Sequence, residues 1–164
     1  MQILLPVADK IAVVLKAQGA TVAVAESSAG GLIAASLLAV PGASAYFLGG
    51  GVVYTRQARS AIAGITDDAM RGLRSSSEPY AALLARTMRE RHGATWGLAE
   101  TGASGPTGNR YGDPAGHTCI AVSGPRERVL TLRTGSADRQ ANMRAFALKA
   151  LETFLEEIGK SGQA

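Results

Sequence analysis

The chain has 164 residues, 46% of them hydrophobic and 18% charged, enough for one ordinary core and too few for two, so a single domain over 1–164 is expected. No stretch approaches the roughly 20 apolar residues of a spanning helix and no basic-then-apolar leader opens the chain, so the expectation is a soluble, cytoplasmic protein with no membrane partner. A single cysteine, Cys119, with only His92 and His117 as histidines, excludes an internal disulfide and offers no metal-spaced cluster, while a net charge of +4 from scattered bases, with 5% aromatics, favours a small phosphorylated ligand over nucleic acid.

Twenty glycines and six prolines punctuate the sequence without repeats or low-complexity runs. From Pro6 to Ala17, Val7, Ile11, Val14 and Leu15 recur at helical spacing, with Gly19 just beyond. Residues 21–26 read as a strand ending at Glu26, after which Ser27, Ser28, Gly30 and Gly31 lead into a helix reaching about Leu38. Pro41 to Ser44 reads as a loop. Tyr46 to Tyr54 reads as a glycine-interrupted strand, placed over 49–54, where a bulge or a close backbone approach is expected. A short helix over Gln57 to Ala63 follows, then a long one over Glu78 to Arg91, entered from Ser75, Ser76 and Ser77 as candidate caps. Strands are expected over 95–100, 118–123 and 128–133, and a helix over Arg139 to Glu157 closes the chain. The fold class that results is α/β: a single three-layer α/β/α domain with a mixed central sheet.

In such sheets ligands collect outside the carboxyl ends of strands, where helix N-termini offer free N–H groups. Three loops qualify. Glu26 to Gly31 places a serine hydroxyl at a helix start, although a plain capping serine explains the same pattern. Glu100 to Gly116 is long and glycine-rich, yet it is neither a Walker loop nor a dinucleotide fingerprint, so nucleotide triphosphate hydrolysis and dinucleotide redox are disfavoured. Tyr54 to Arg59 sets two guanidinium groups after a tyrosine, a pattern more often found on a solvated helix face.

The order A-E-S-x-x-G-G, then P-G-x-S-A-x-F-x-x-G-x-V-x-Y, then S-E, T-G-x-x-G-P and P-x-G runs through essentially the whole chain, with Pro106 and Pro114 eight residues apart. This combination resembles the CinA C-terminal domain family, the nicotinamide mononucleotide deamidases; the N-terminal domain of longer CinA proteins has no counterpart in these 164 residues. The resemblance implies hydrolysis of a nucleotide carboxamide to the acid and ammonia, without metal or cofactor, by a serine nucleophile. Ser27 matches that serine, and the helix start after Gly30 and Gly31 is expected to supply the oxyanion donors, with Ser28 beside it. Ser44 matches the second serine of the family's G-S-S-A-x-F stretch, Tyr54 the tyrosine of its Y-S-N-x-A-K motif, and Thr101, Gly102 and Ser104 its T-G-I-A-G-P loop. Arg139 and Arg144 fall in a segment resembling the family's G-D-R region and are candidate phosphate ligands, with Asp138 at the positive end of their helix.

The departures carry as much information. Where the family has lysine as the expected proton acceptor, this chain has Arg59, and a guanidinium with a pKa above about 12 keeps its proton. Asn becomes Arg56, Cys becomes Ser28, Thr becomes Ala29, and K-P-V-G becomes Asp113-Pro114-Ala115-Gly116. The leading expectation is an amidohydrolase with Ser27 as nucleophile, Tyr54 as proton relay under the influence of the two nearby arginines, and Arg59 as an electrostatic group. Glu26, on the opposite strand face from Ser27, is disfavoured as base. The alternative is a non-catalytic pyridine-nucleotide or phosphate-ligand binding protein, with Arg56 and Arg59 as phosphate clamps. A purely structural domain ranks last, and the partner set is a phosphorylated nucleotide with the homo-oligomer question left open.

Overall fold

Helices begin and end where residues of the expected chemistry cap them. Pro6 occupies the first turn of α1 (Leu5–Gln18), and Gly19 ends that helix in the left-handed conformation. The Thr55 and Ser77 hydroxyls accept the Ala58 and Tyr80 N–H groups, opening α3 (Arg56–Ala63) and α4 (Glu78–His92). The computed structural model describes residues 1–161. The remaining elements are β1 (Val22–Glu26), α2 (Leu32–Leu38), a one-turn 3-10 helix (Ala43–Ala45), β2 (Phe47–Val52), β3 (Trp96–Ala103), β4 (His117–Ser123), β5 (Arg128–Arg133) and α5 (Arg139–Ser161).

All five strands share one sheet in the order β2-β1-β3-β4-β5. β1 is parallel to β2 and β3, whereas β4 is antiparallel to both β3 and β5. The expected mixed three-layer architecture is therefore present. Three elements differ from expectation by more than one residue, among them β3, which runs on past Glu100 to Ala103 and takes up the first residues of the expected loop. The β2 strand covers 47–52, because the chain leaves the sheet after Val53 donates to the Glu26 carbonyl (2.7 Å) and turns into the Thr55 cap. The closing helix runs on past Glu157 to Ser161.

The two faces of the sheet are packed differently. Val22, Val24, Trp96, Leu98, Ile120 and Val122 face α1, α2 and α5, where Ile11, Ile33, Phe146 and Phe154 close a bulky core. The opposite face presents Ala23, Ala25, Ala99, Cys119 and Ala121 to Tyr80, Leu84 and Met88 of α4. Small side chains let that helix lie close to the sheet. Gly97 is the extreme case, since a Cβ there would fall 2.0 Å from the Ala85 carbonyl oxygen. This close seating holds the N-terminus of α4, and the serines before it, against the end of β3.

The chain moves from β1 to β2 on one side and returns to β3 on the other, so the strand order switches at β1. A crevice is expected outside the carboxyl ends there, which is where Ser27 and Thr101 lie. Glycine substitutions separate close packing from open helix. Gly97→Ala is expected to lose about 2 kcal/mol or more through overpacking. Gly159→Ala, where nothing lies within 4 Å of the new Cβ, is expected to gain about 0.5–1 kcal/mol from helix propensity. Urea unfolding midpoints of the two variants check both signs.

Candidate functional site

A cleft of about 380 Å³ opens at the crevice, and Ser27, Tyr54, Arg56, Arg59, Thr101 and Gly102 line it. A smaller one of about 250 Å³ lies on the other side of Tyr54, lined by Ser28, Gly102, Ser104 and Arg139 together with the glycines of the 105–108 loop. Tyr54 and Gly102 belong to both. Gly102 must be glycine, for a Cβ would meet the His117 carbonyl oxygen at 2.3 Å.

The turn carrying Ser27 is built on a buried carboxylate. Alternation along β3 puts Trp96, Leu98 and Glu100 on one face, and fully buried Glu100 lies under the turn. It accepts the N–H groups of Ser27 (3.0 Å) and Ala29 (2.8 Å) and the hydroxyls of Thr118 (2.7 Å) and Ser28. Ser28 thus directs its hydroxyl inward. Among the described residues the Ser27 hydroxyl has no hydrogen-bond partner, and it remains for the cleft. Glu26 acts elsewhere, since its carboxylate accepts the Ile33 and Ala34 N–H groups, each at 3.0 Å, and so caps α2. Burial raises its pKa, the Ala34 and Ile33 N–H groups pull against that, and the charge of Glu100 adds to the rise.

These bonds correct one expectation. The Ile33 and Ala34 N–H groups at the start of α2 are held by Glu26, and those of Ser27 and Ala29 in the turn before it by Glu100, so these four do not face a ligand as oxyanion donors. Gly30 and Gly31 line neither cleft; their positive φ values, 69° and 100°, form the turn instead.

The arginines are also spoken for. Arg56 and Arg59 lie one helical turn apart on α3 and both bond Asp67, Arg56 through Nε at 3.1 Å and through Nη2, Arg59 through Nη2. Neither is the guanidinium at Tyr54. That position belongs to Arg139, which donates to the Tyr54 hydroxyl (3.1 Å) and to the Gly105 carbonyl (2.6 Å). Asp138 accepts the Ala141 N–H (3.0 Å) and caps α5. Buried Asn142, one helical turn further on, donates to the Ser104 and Ser136 carbonyls at 2.8 Å each, tying the glycine-rich loop to that helix. The Ser104 hydroxyl is buried without a partner among the described residues, and Thr101 Oγ accepts the Ser76 N–H (3.3 Å).

Asp113 pulls the far end of the loop inward. It accepts Arg74 Nη1 (2.6 Å) and Nη2 (3.1 Å) and the Asn109 amide (2.9 Å), with His117 Nε2 at 3.6 Å. Burial opposes its charge, yet the Arg74 and Asn109 hydrogen bonds and His117 hold the carboxyl below the usual carboxylate range.

Two expected residues stay outside. Ser44 is exposed in the 3-10 helix before β2. Because β1 and β2 are parallel, with Val22 beside Phe47, Ser44 sits at the starting end of β1 and Ser27 at its finish, roughly 15 Å apart along the strands. Arg144 is exposed on α5 and lines neither cleft. Sequence reasoning missed Glu100, Asp67, the Arg74–Asp113 pair and the aromatic walls Tyr80 and Tyr111. The strand alternation after Trp96 and Leu98 was the available signal for Glu100.

The model of the CinA C-terminal domain matches residues 5–158. A CinA-like protein of Desulfosudis oleivorans is 41% identical over 141 residues, covering 85% of this chain and 34% of the relative. One from Gloeobacter violaceus is 38% identical over 153 residues, covering 92% and 36%. The chain thus spans about a third of the length of these curated relatives. Among solved structures, the competence/damage inducible protein CihA from Agrobacterium tumefaciens superposes with a TM-score of 0.86 at 28% identity, covering 93% of this chain and 94% of that one. A competence-damaged protein (CinA) superfamily structure from Escherichia coli gives 0.86 at 25%, covering 93% and 88%. No helix among the described residues is long and apolar enough to cross a membrane.

The lowered pKa of Asp113 makes its stabilising effect full above the ordinary aspartate pKa of about 3.9 and lost as pH falls through the lower folded value. Asp113→Asn is expected to cost about 1–2 kcal/mol at neutral pH, with the two unfolding curves converging in acid. Urea unfolding at about pH 7 and about pH 3 measures the difference.

Proposed function

This chain belongs to the CinA C-terminal domain family, and from that premise we propose that it hydrolyses the carboxamide of nicotinamide mononucleotide, or of a related nucleotide amide, to the acid and ammonia. The observation that carries the reading is the shared cleft: Ser27, Tyr54 and Thr101 arrive from three separate segments to line one crevice with three arginines, Arg56, Arg59 and Arg110. In this reading the Ser27 oxygen attacks the carboxamide carbon. Its proton passes by way of the Tyr54 hydroxyl to the departing nitrogen, which leaves as ammonia. Water then cleaves the acyl-serine, giving the carboxylate and restoring the serine. Arg139 orients the tyrosine, and Arg59 contributes positive charge rather than proton transfer. Thr101 and Ser104 shape the two clefts, their Oγ atoms turned away from a ligand, and Arg139, exposed beside Tyr54, is a guanidinium within reach of an anionic group of the substrate.

A second reading, a binding protein without turnover, is favoured by one contact. Arg59 stands at the position of the family's lysine and is paired with Asp67, so no amine is present there to act as base. The pairing also shapes the test. A lysine introduced at 59 meets the Asp67 carboxylate, which favours the protonated ammonium.

Ammonia release from nicotinamide mononucleotide by the purified chain is expected, and Ser27→Ala is expected to abolish it. Tight nucleotide binding without ammonia release in the natural chain leaves the binding protein standing. Arg59→Lys alone is expected to change the rate little, whereas Arg59→Lys with Asp67→Asn frees the amine and raises turnover toward the two to four powers of ten, roughly, that a positioned base supplies. Equal rates for the single and double variants exclude a role for the Asp67 charge.

A further inference from the structure

Beside the serine cleft, a second cavity of about 300 Å³ is lined by Arg56, Arg59, Arg74 and Arg110, with Asp67 and Tyr111 between them. It adjoins the serine cleft, because Arg56, Arg59, Ser75, Arg110 and Tyr111 line both. Four guanidinium groups converging on one small space are far more than a solvated helix face requires, and their partners do not balance them. Asp67 serves Arg56 and Arg59, and Asp113 serves Arg74. Arg110 has no carboxylate partner among the described residues; it lies over the Tyr111 ring at 5.4 Å, and Arg74 over the same ring at 5.5 Å. Four cations against two carboxylates leave a surplus of two positive charges.

Two further facts point to an anion. Arg59 is nine-tenths buried, and its buried Nε–H has no acceptor among the described residues, although buried donors normally find one. The Arg56–Asp67 pair is open to water, with side-chain exposures of 72% and 59%, and exposed pairs of this kind are weak enough for a stronger anion to displace. A guanidinium matches phosphoryl oxygens through two parallel N–H donors. Several such forks around one cavity exceed the needs of a single phosphate and suit two linked ones.

We propose that this cavity binds a diphosphate group, so that the ligand of this chain is a diphosphate-linked nucleotide amide whose amide end reaches Ser27. The substrate class rests on the amidohydrolase reading; the diphosphate lobe itself does not. The arginines at 56 and 59, which depart from the family's pattern, then have a shared reason: they enlarge the ligand beyond a mononucleotide. Asp67 holds the two guanidinium groups in place when the lobe is empty.

Titration calorimetry of the full chain with inorganic pyrophosphate and with orthophosphate tests the lobe. Pyrophosphate is expected to bind about tenfold more tightly or better, from its additional charge-assisted hydrogen bonds. Arg56→Gln and Arg110→Gln are each expected to weaken pyrophosphate by about tenfold, and Asp67→Asn to tighten it. Arg86→Gln, which removes an exposed charge on α4 that lines neither cavity, is expected to leave binding unchanged. Equal affinity for the two anions, or equal losses in Arg86→Gln and Arg56→Gln, overturns the proposal. Pyrophosphate binding with no ammonia release from mono- or dinucleotide amides keeps the lobe and sinks the amidohydrolase reading. Ammonia release without pyrophosphate binding does the reverse.

Discussion

The site depends on a carboxylate buried with no cationic partner among the described residues. Glu100 is fully enclosed, and removing a charge from water costs several kcal/mol, roughly, unless hydrogen bonds replace hydration. Four donors do so here, three of them from the Ser27–Ala29 turn. The requirement works in both directions: the carboxylate is tolerable only if the turn closes on it, and the turn has its shape only because the carboxylate is there. With both flanking N–H groups and the Ser28 hydroxyl drawn inward, Ser27 is left facing the crevice. Glu26 repeats the device one strand away by capping α2, and burial, with the added repulsion of Glu100, keeps its pKa raised.

The second constraint is steric. Alanine and glycine on one face of the sheet let α4 approach until its backbone nearly touches Gly97. That seating brings Ser76 to Thr101 and to His117, whose Nε2 lies 2.9 Å from the Ser76 carbonyl. The cleft wall is therefore a product of core packing, and bulk added beneath α4 would be felt at Thr101.

Around this frame the chain has rewired its charges. Asp113 and Arg74 join the glycine-rich loop to the approach of α4, Asp67 gathers Arg56 and Arg59, and Arg139 joins the loop to Tyr54. Several of these residues stand where the family resemblance leads one to expect others. Taken one at a time they look like drift. In space they line the clefts that flank one serine, held by Asp67, Asp113 and the Gly105 carbonyl.

The sequence alone determined the five strands, the five α-helices and the mixed three-layer class, because hydrophobic period and cap residues are local signals: Thr55, Ser77 and Gly19 act within a few residues of themselves. It also brought Ser27, Tyr54, Arg59 and Thr101 forward as a set. Only the tertiary structure decided which groups were free. Ser44 left the set because parallel pairing puts it at the other end of β1, the turn before α2 lost the Ser27 and Ala29 N–H groups to Glu100, some seventy residues away in sequence, and Arg56 and Arg59 turned to Asp67 rather than Tyr54. A hydrogen bond or ion pair is settled by distances of a few ångströms between segments far apart in the chain, and no local pattern encodes which acceptor a donor will meet.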